Sequence, residues 1–503
     1  MKNLIRFLLL TGALLYPLVQ IEATRSWDLR WNKPRITTDT HITFLTEMPS
    51  CEITAPESKQ RTYFTFSSWK NFRRAFHDFF TVDDKTALLQ YNPGNQEEEY
   101  NFFQVRFLSG FDYVFHNRDD DYYFLYNGLE VAGVIRERIF LLGEWWAGHF
   151  NIKDPETLSS APYLDSWYQQ AENKDRTYLD NLAGIIAYRN EYMTLTLGRG
   201  SHQIGSNIAG SIILDDASND FGYFSARINL GSISLALLQG NLIPDSLSAD
   251  PSVKYNDKYL VSHKIDWQPN DFLHFFLGEH VVYGNRNLDP SYLLPHVFLR
   301  ITEHNLHDRD NVFIFTGGEL VINQDNIIYL NFILDELSKA KLFSSWWGNK
   351  YALQVGFSRY LGHNRFLRLV LEGIAIRPWL YTHNILENKF SHDGISLGFP
   401  YGTNLLGIFS ELNLRMHDRI HLDLNSGYFR QGSVGNQFYL NYSSRPSDRA
   451  SWLEGEITNS VVLRGTVTWQ PLAHFRLKTG VFYMNSDNQD DTIDLFCGYQ
   501  VRF

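Results

Sequence analysis

The final stretch of this chain, DTIDLFCGYQVRF, alternates without a break. Leu495, Cys497, Tyr499, Val501 and Phe503 form an apolar row, and Asp494, Phe496, Gly498, Gln500 and Arg502 fill the positions between them. A period of two gives a strand one oily and one wetter face. The parity recurs in HFRLKTGVFY, where Phe475, Leu477, Thr479, Val481 and Tyr483 alternate with Arg476, Lys478, Gly480 and Phe482. It recurs again in VLRGTVTW, with Leu463, Gly465, Val467 and Trp469 set against Arg464, Thr466 and Thr468. From Tyr100 onward such stretches are joined by connections that are alternately short and long. The short ones fall at 136–138, 189–191, 230–232, 268–271, 323–326, 361–364, 416–418 and 470–474. Long polar or aromatic stretches at 151–178, 284–309, 378–402 and 431–452 lie between them. Eight short turns join sixteen strands, and a strand at each end makes about eighteen, an even number as expected for a bacterial barrel. A soluble sandwich seldom needs so many strands without linkers. Closing the sheet removes every edge, as hydrocarbon demands of backbone polar groups. The expected fold is therefore an all-β transmembrane protein, a closed antiparallel barrel over residues 97–503.

The other end supports an exported chain. MKNLIRFLLLTGALLYPLVQIEA carries Lys2 and Arg6, then an apolar run from Phe7 to about Val19, and Ala23 offers a cleavage point. This reads as a signal peptide over residues 1–23, since the run is shorter than the ~20 residues of a spanning helix and polar sequence follows. The terminal row Phe503, Val501 and Tyr499 resembles the C-terminal signature that the assembly machinery of outer-membrane barrels reads. Together these features imply outer-membrane localisation, with membrane lipid and that machinery as partners. Formal net charge is −11, which argues against a nucleic-acid partner. The two cysteines, Cys51 and Cys497, supply no disulfide framework. DWQPND and TWQPLA reuse one turn chemistry, and Trp267 and Trp469 before them suit an interfacial aromatic girdle.

Residues 24–96 differ from the rest. SSWKNFRRAFHDFF places Trp69, Phe72, Phe76, Phe79 and Phe80 at helical spacing, TVDDKTALLQY suggests a second short helix, and Pro93-Gly94 closes the region. The expectation is a small, partly helical periplasmic domain. Its aromatic stripe is too large to leave exposed, so it is expected to close the periplasmic mouth of the barrel.

Three segments taken together, LTLGRGSHQIGSNIAGSIILDDASNDFGYFSARI (195–228), YGNRNLDPSYLLP (283–295) and NKYALQVGFSRYLGHN (349–364), resemble the Wzi-type capsule assembly family. That resemblance implies eighteen strands, a small periplasmic helical bundle and a surface lectin that helps fix capsular or exopolysaccharide to the cell. The chain departs from the pattern in having only two convincing N-terminal helices.

The remaining motifs carry little chemistry. GISLG (394–398) fits a nucleophile elbow, but Ser396 would lie between barrel strands rather than on the strand–turn–helix which that chemistry needs. Glu303, His304, His307, Asp308 and Asp310, and separately Asp119, Asp120 and Asp121, offer oxygen ligands suited to calcium, although solvated polar loops explain both groups more simply. No catalytic residue, metal or cofactor is expected. The glycines of GRGSHQIG, which open no amphipathic helix, are read as letting the backbone fold back across the lumen. The outer connections are rich in aromatics, and Trp167, Tyr168, Trp346, Trp347, Trp379, Tyr381 and Tyr401 are the candidate polysaccharide-binding residues, because sugar C–H faces stack on aromatic planes. The expected function is non-enzymatic binding and attachment of surface polysaccharide. The alternative is a pore for sugars or other small solutes, since about eighteen strands enclose a channel unless something fills it.

Overall fold

The computed structural model describes residues 63–66, 89–92, 102–117, 121–136, 138–151, 168–173, 176–245, 257–295, 298–307, 309–323, 325–336, 341, 344–362, 366–417, 419–472, 474–487 and 491–502. The short strands β1 (Tyr63–Phe66) and β2 (Leu89–Asn92) come first. The wall begins with β3 (Phe102–His116), β4 (Tyr122–Ile135) and β5 (Ile139–Phe150); the short β6 (Tyr168–Asn173) follows. The wall resumes with β7 (Arg176–Arg189), β8 (Met193–Gly200), β9 (Phe221–Leu230), β10 (Ile233–Leu242), β11 (Lys258–Asn270) and β12 (Leu273–Gly284). It continues through β13 (Asn311–Asn323), β14 (Asn326–Glu336), β15 (Lys350–Leu361) and β16 (Leu367–Ile376). A two-stranded hairpin, β17 (Ser391–His392) and β18 (Ile395–Ser396), interrupts it before β19 (Leu405–His417), β20 (Ile420–Gly432), β21 (Ile457–Leu472), β22 (Phe475–Ser486) and β23 (Thr492–Arg502).

Eighteen of these strands form one closed antiparallel barrel. Each pairs with its neighbour in the chain's order of wall strands, and β23 returns to β3 in a register running from Asp494↔His116 to Arg502↔Leu108. All eight expected short turns connect strands on one side. Two of them show why the sequence marked them. The ladders of β11 with β12 and of β21 with β22 both slip just past Trp267 and Trp469, where Pro269 and Pro471 have no N–H to donate. No helix among the described residues is long and apolar enough to cross a membrane, so spanning falls to the strands.

The parity read from the sequence sorts the two faces. Leu182, Ile186, Leu197, Leu371 and Ile408 point outward and are more than half exposed, as lipid-facing residues must be in the bare protein. At the seam, Tyr123, Phe111, Tyr499 and Phe475 form a row of stacked rings on the outward face, with centroids 5.8–6.1 Å apart. Cys497 shares that outward row and is buried in it. Inward, the half of the wall nearest the short turns is charged. Glu130 meets Arg106 and Arg502, Asp266 gathers Arg227, Lys264 and His274, and Arg368 pairs with Glu411.

Residues 1–62 lie outside the described residues, so the signal peptide does too, as do Trp69, Phe72 and Phe76 of the first expected helix. The end of the second expected helix is a strand instead. Leu89–Asn92 pairs with β1 and with Phe103–Val105 of β3, an edge that β23 has already left. An open ladder edge outweighs weak helical propensity there.

Candidate functional site

Beyond the charged half, the lumen is not an open channel. Two outer loops fold inward and fill it with hydrocarbon. The first, residues 201–220 between β8 and β9, makes a hairpin in which Ile204 N–H donates to Leu214 (3.0 Å). Its apex crosses to the far wall. Glu372 on β16 accepts from the backbone N–H groups of Ile208 (3.1 Å) and Ala209 (3.2 Å), and from the Tyr329 hydroxyl (2.6 Å). Asn331 donates to Ser206 O (2.8 Å), Gln354 donates to Gly210 O (2.9 Å), and the Ser206 hydroxyl donates to Glu319. Gly205 and Gly210 supply the left-handed turns, at φ +86° and +117°. Gly198 and Gly200, the other glycines of GRGSHQIG, remain in β8.

The second loop, 377–404 between β16 and β19, packs on the first. The Tyr381 hydroxyl donates to Ile212 O (2.5 Å), and Asp215 N–H donates to Leu397 O (2.7 Å). Ile212, Ile213, Leu214, Leu380, Tyr381, Phe390, Leu397 and Phe399 have no exposed surface. They meet an inward wall of Phe313, Phe315, Ile333, Ile374 and Leu405. The hairpin β17–β18 is tied to the opposite side: Lys258 donates to Ser391 Oγ (2.9 Å), which donates to Asp245 (2.7 Å), and Ile243 N–H donates to His392 Nδ1 (2.9 Å). Burial, with Lys258 and Arg199 nearby, holds the His392 imidazole down at about 3, so the ring is neutral.

The candidate residues therefore separate. Tyr381 is a plug residue: it is wholly enclosed, burial pushes its phenol up, and it presents no face for a sugar. Tyr401 packs on Phe409 and Phe429 at the plug's edge. Trp346, Trp347 and Trp379 come together with Tyr442 where the outer loops 337–349, 377–404 and 433–456 meet. Arg445 lies 4.1 Å over the Trp347 ring and Lys341 lies 4.5 Å over Trp346, each within cation–π reach. Trp347 and Trp379 are nearly buried, and Trp346 keeps a partly open edge. Trp379 and Tyr381 both sit at positive φ, +68° and +70°, conformations that only surrounding packing sustains for aromatic residues. Trp167 lies outside the described residues, and of Tyr168 only the backbone, in β6, is described.

Sequence reasoning missed two features of this surface. Tyr439 on loop 433–456 is 57% exposed, and a cavity of about 210 Å³ opens between the plug and that loop, lined by Ser396, Thr403, Gln437 and Phe438 among others. The signal for the plug was present. HVVYG, NVFIF and GIAI are apolar at consecutive positions, whereas a wet lumen requires polar residues at every second one.

Ser396 sits in β18, a two-residue strand of the plug hairpin, with its Oγ accepting from Gly398 N–H (3.1 Å), and not on a strand–helix elbow. Asp310 is gripped by Arg286 through both oxygens (2.8 and 2.6 Å), and Glu303 pairs with Arg300 (3.0 Å). Both carboxylates are thus engaged by cations.

A change at Tyr381 measures how much the plug contributes. Tyr381→Phe leaves the Ile212 carbonyl unpaired and should cost ~1–3 kcal/mol. Tyr381→Ala should cost ~3–5 kcal/mol through the cavity it opens. Protease cleavage within 377–404 of the assembled barrel should rise in that order, and equal resistance would place the ring outside the plug's core.

Neither a family model nor a curated protein matches the chain. Solved structures do. A structure of Wzi, described as an outer-membrane protein involved in group 1 capsule assembly in Escherichia coli and as a carbohydrate-binding β-barrel, aligns at a TM-score of 0.53 and 13% identity, covering 79% of this chain and 84% of that one. Acinetobacter baumannii OccAB4 aligns at 0.47 and 10% identity, covering 81% and 100%, and Pseudomonas aeruginosa OpdK at 0.46 and 9%, covering 80% and 98%. At such identities the likeness to Wzi speaks for architecture alone. It shows that this chain has the closed eighteen-strand barrel fold of an outer-membrane protein.

Proposed function

We propose that this protein is a non-enzymatic outer-membrane barrel that binds capsular or exopolysaccharide on its outer surface and helps hold it to the cell. The plug is the observation that carries this reading. A pore needs a continuous wet path, and here two loops fill the outer half of the lumen with apolar side chains fastened to opposite walls. The outer loops, by contrast, present aromatic rings, cations and amide groups together, a mixture suited to sugar C–H faces and hydroxyls. The likeness to a carbohydrate-binding barrel supports the same reading. The charged half of the lumen is the feature that speaks for a small-solute pore, which would require the plug to move.

The test uses rings that solvent reaches. Tyr439→Ala with Trp346→Ala should leave the barrel's abundance unchanged and increase shed polysaccharide relative to cell-bound polysaccharide. Aromatic stacking on a nucleic-acid base is worth ~1–3 kcal/mol, and a sugar face, being less polarisable, belongs toward the lower end, so each contact weakens by about tenfold or less. A long polymer engages many copies, and avidity should hide the single variants and expose the double one. Unchanged retention in a normally assembled double variant would remove these rings from the site.

A further inference from the structure

The lipid-facing side of the barrel carries a groove that neither the plug nor the outer loops explain. Its volume is about 440 Å³, and it lies across β15, β16, β19 and β20. The strand register builds it from two adjacent rows. One row runs Leu353, Ala375, Leu406, Arg430, and the next runs Val355, Gly373, Ile408, Tyr428. Gly373 and Ala375 are stacked on β16 and make the floor, while the larger side chains on either flank make the walls. Leu371, the next outward residue of β16, is itself more than half exposed.

Glycine is a poor choice for the interior of a strand, where a β-branched residue packs better. Nothing lies within 4 Å of where a Cβ on Gly373 would stand, and its φ is not in the left-handed region. Neither backbone conformation nor steric crowding therefore requires glycine there. What its absence of a side chain provides is space on the lipid face.

The polar end of the groove indicates what fills it. Arg430 points outward and is exposed, two residues from the outer end of β20 at Gly432. The outward residues of that strand before it are Ile420, Leu422, Leu424, Ser426 and Tyr428, so Arg430 is where this face passes from apolar to charged. An aromatic and then a cation at the edge of the apolar band lie at headgroup depth. Hydrocarbon gains no hydrophobic advantage by leaving other hydrocarbon for the groove, so the charge must supply the preference. We propose that this groove binds an acyl chain of an outer-leaflet lipid whose headgroup carries a net negative charge, which Arg430 engages.

The test is native mass spectrometry of the full-length protein, delipidated in detergent and given dipalmitoyl phosphatidylglycerol or dipalmitoyl phosphatidylcholine. The two lipids share their chains and differ in net headgroup charge. The wild type should retain the anionic lipid about tenfold better, the scale of one charge-assisted hydrogen bond. Arg430→Gln should abolish that preference and Arg430→Lys should restore part of it. Gly373→Val should lower retention of both lipids while the barrel stays heat-modifiable, and Ala375→Leu serves the same purpose if Gly373→Val assembles poorly. Equal retention of the two lipids by the wild type would overturn the proposal, as would retention that groove-filling leaves unchanged. A dimer that disappears on filling the groove would also overturn it, because the occupant would then be a second copy of this chain.

Discussion

Excising residues 205–213 should turn a barrel that passes no steady current into one that does. Ile204 and Leu214 are hydrogen-bonded neighbours, so a Gly-Ser turn can join them without moving β8 or β9. The excision removes Ile212 and Ile213 from the plug, the apex from its seat on Glu372, and the partner carbonyl of Tyr381. The wall ladders on both sides remain intact, so assembly should be normal. Glu372→Ala should do less. Hydrogen bonds to a charged group are worth ~1.5–3 kcal/mol each, and losing those to Ile208 and Ala209 should give brief openings in planar-bilayer recordings rather than a stable pore. An excised barrel that assembled normally and stayed silent would mean that something else closes the lumen. The segment bearing Trp69, Phe72 and Phe76 would be the first suspect.

Acid should loosen the plug, and His392 sets the sign. In the closed plug its imidazole is held at about 3, and in a released loop it would return to its ordinary 6.5. Release therefore takes up a proton between those values, so the closed state is at full strength above pH 6.5 and weakens as pH falls toward 3. The geometry gives the same answer. Nδ1 accepts the Ile243 N–H, and charging the ring puts a proton on that nitrogen and breaks the bond. Each pH unit in the window is worth at most ~1.4 kcal/mol. At pH 4.5 the ratio of closed to open should thus have fallen by up to about a hundredfold. Protease access to the hinges of loop 377–404, followed from pH 7 to pH 4.5, should rise more in the wild type than in His392→Asn, which keeps an acceptor for Ile243 but does not titrate. A flat wild-type profile would show that this histidine does not gate the plug.

The wall was legible in the sequence because strand parity and turn chemistry are local. Pro269 and Pro471 interrupt their ladders whatever lies across the lumen, and Asn323 folds the turn to Asn326 through its own side chain. The plug depends on partners far apart in the chain. Glu372 reads as an ordinary inward carboxylate until Ile208 and Ala209 arrive 163 residues or more away in sequence. Trp379, Tyr381 and Trp346 look alike as aromatics in an outer connection. Only packing separates a ring sealed under the Ile212 carbonyl from one left partly open at the surface. Tyr439 gave no sign in sequence because exposure is decided by which neighbouring loops fold down.

The central claim, that the outer surface holds polysaccharide, is tested most directly by equilibrium binding. The source cell's purified surface polysaccharide should be titrated into the full-length wild-type protein held in nanodiscs, with Tyr439→Ala/Trp346→Ala titrated alongside. We expect saturable binding to the wild type and clearly weaker binding to the double variant. No saturable binding of polysaccharide by a correctly folded wild-type barrel would contradict the account.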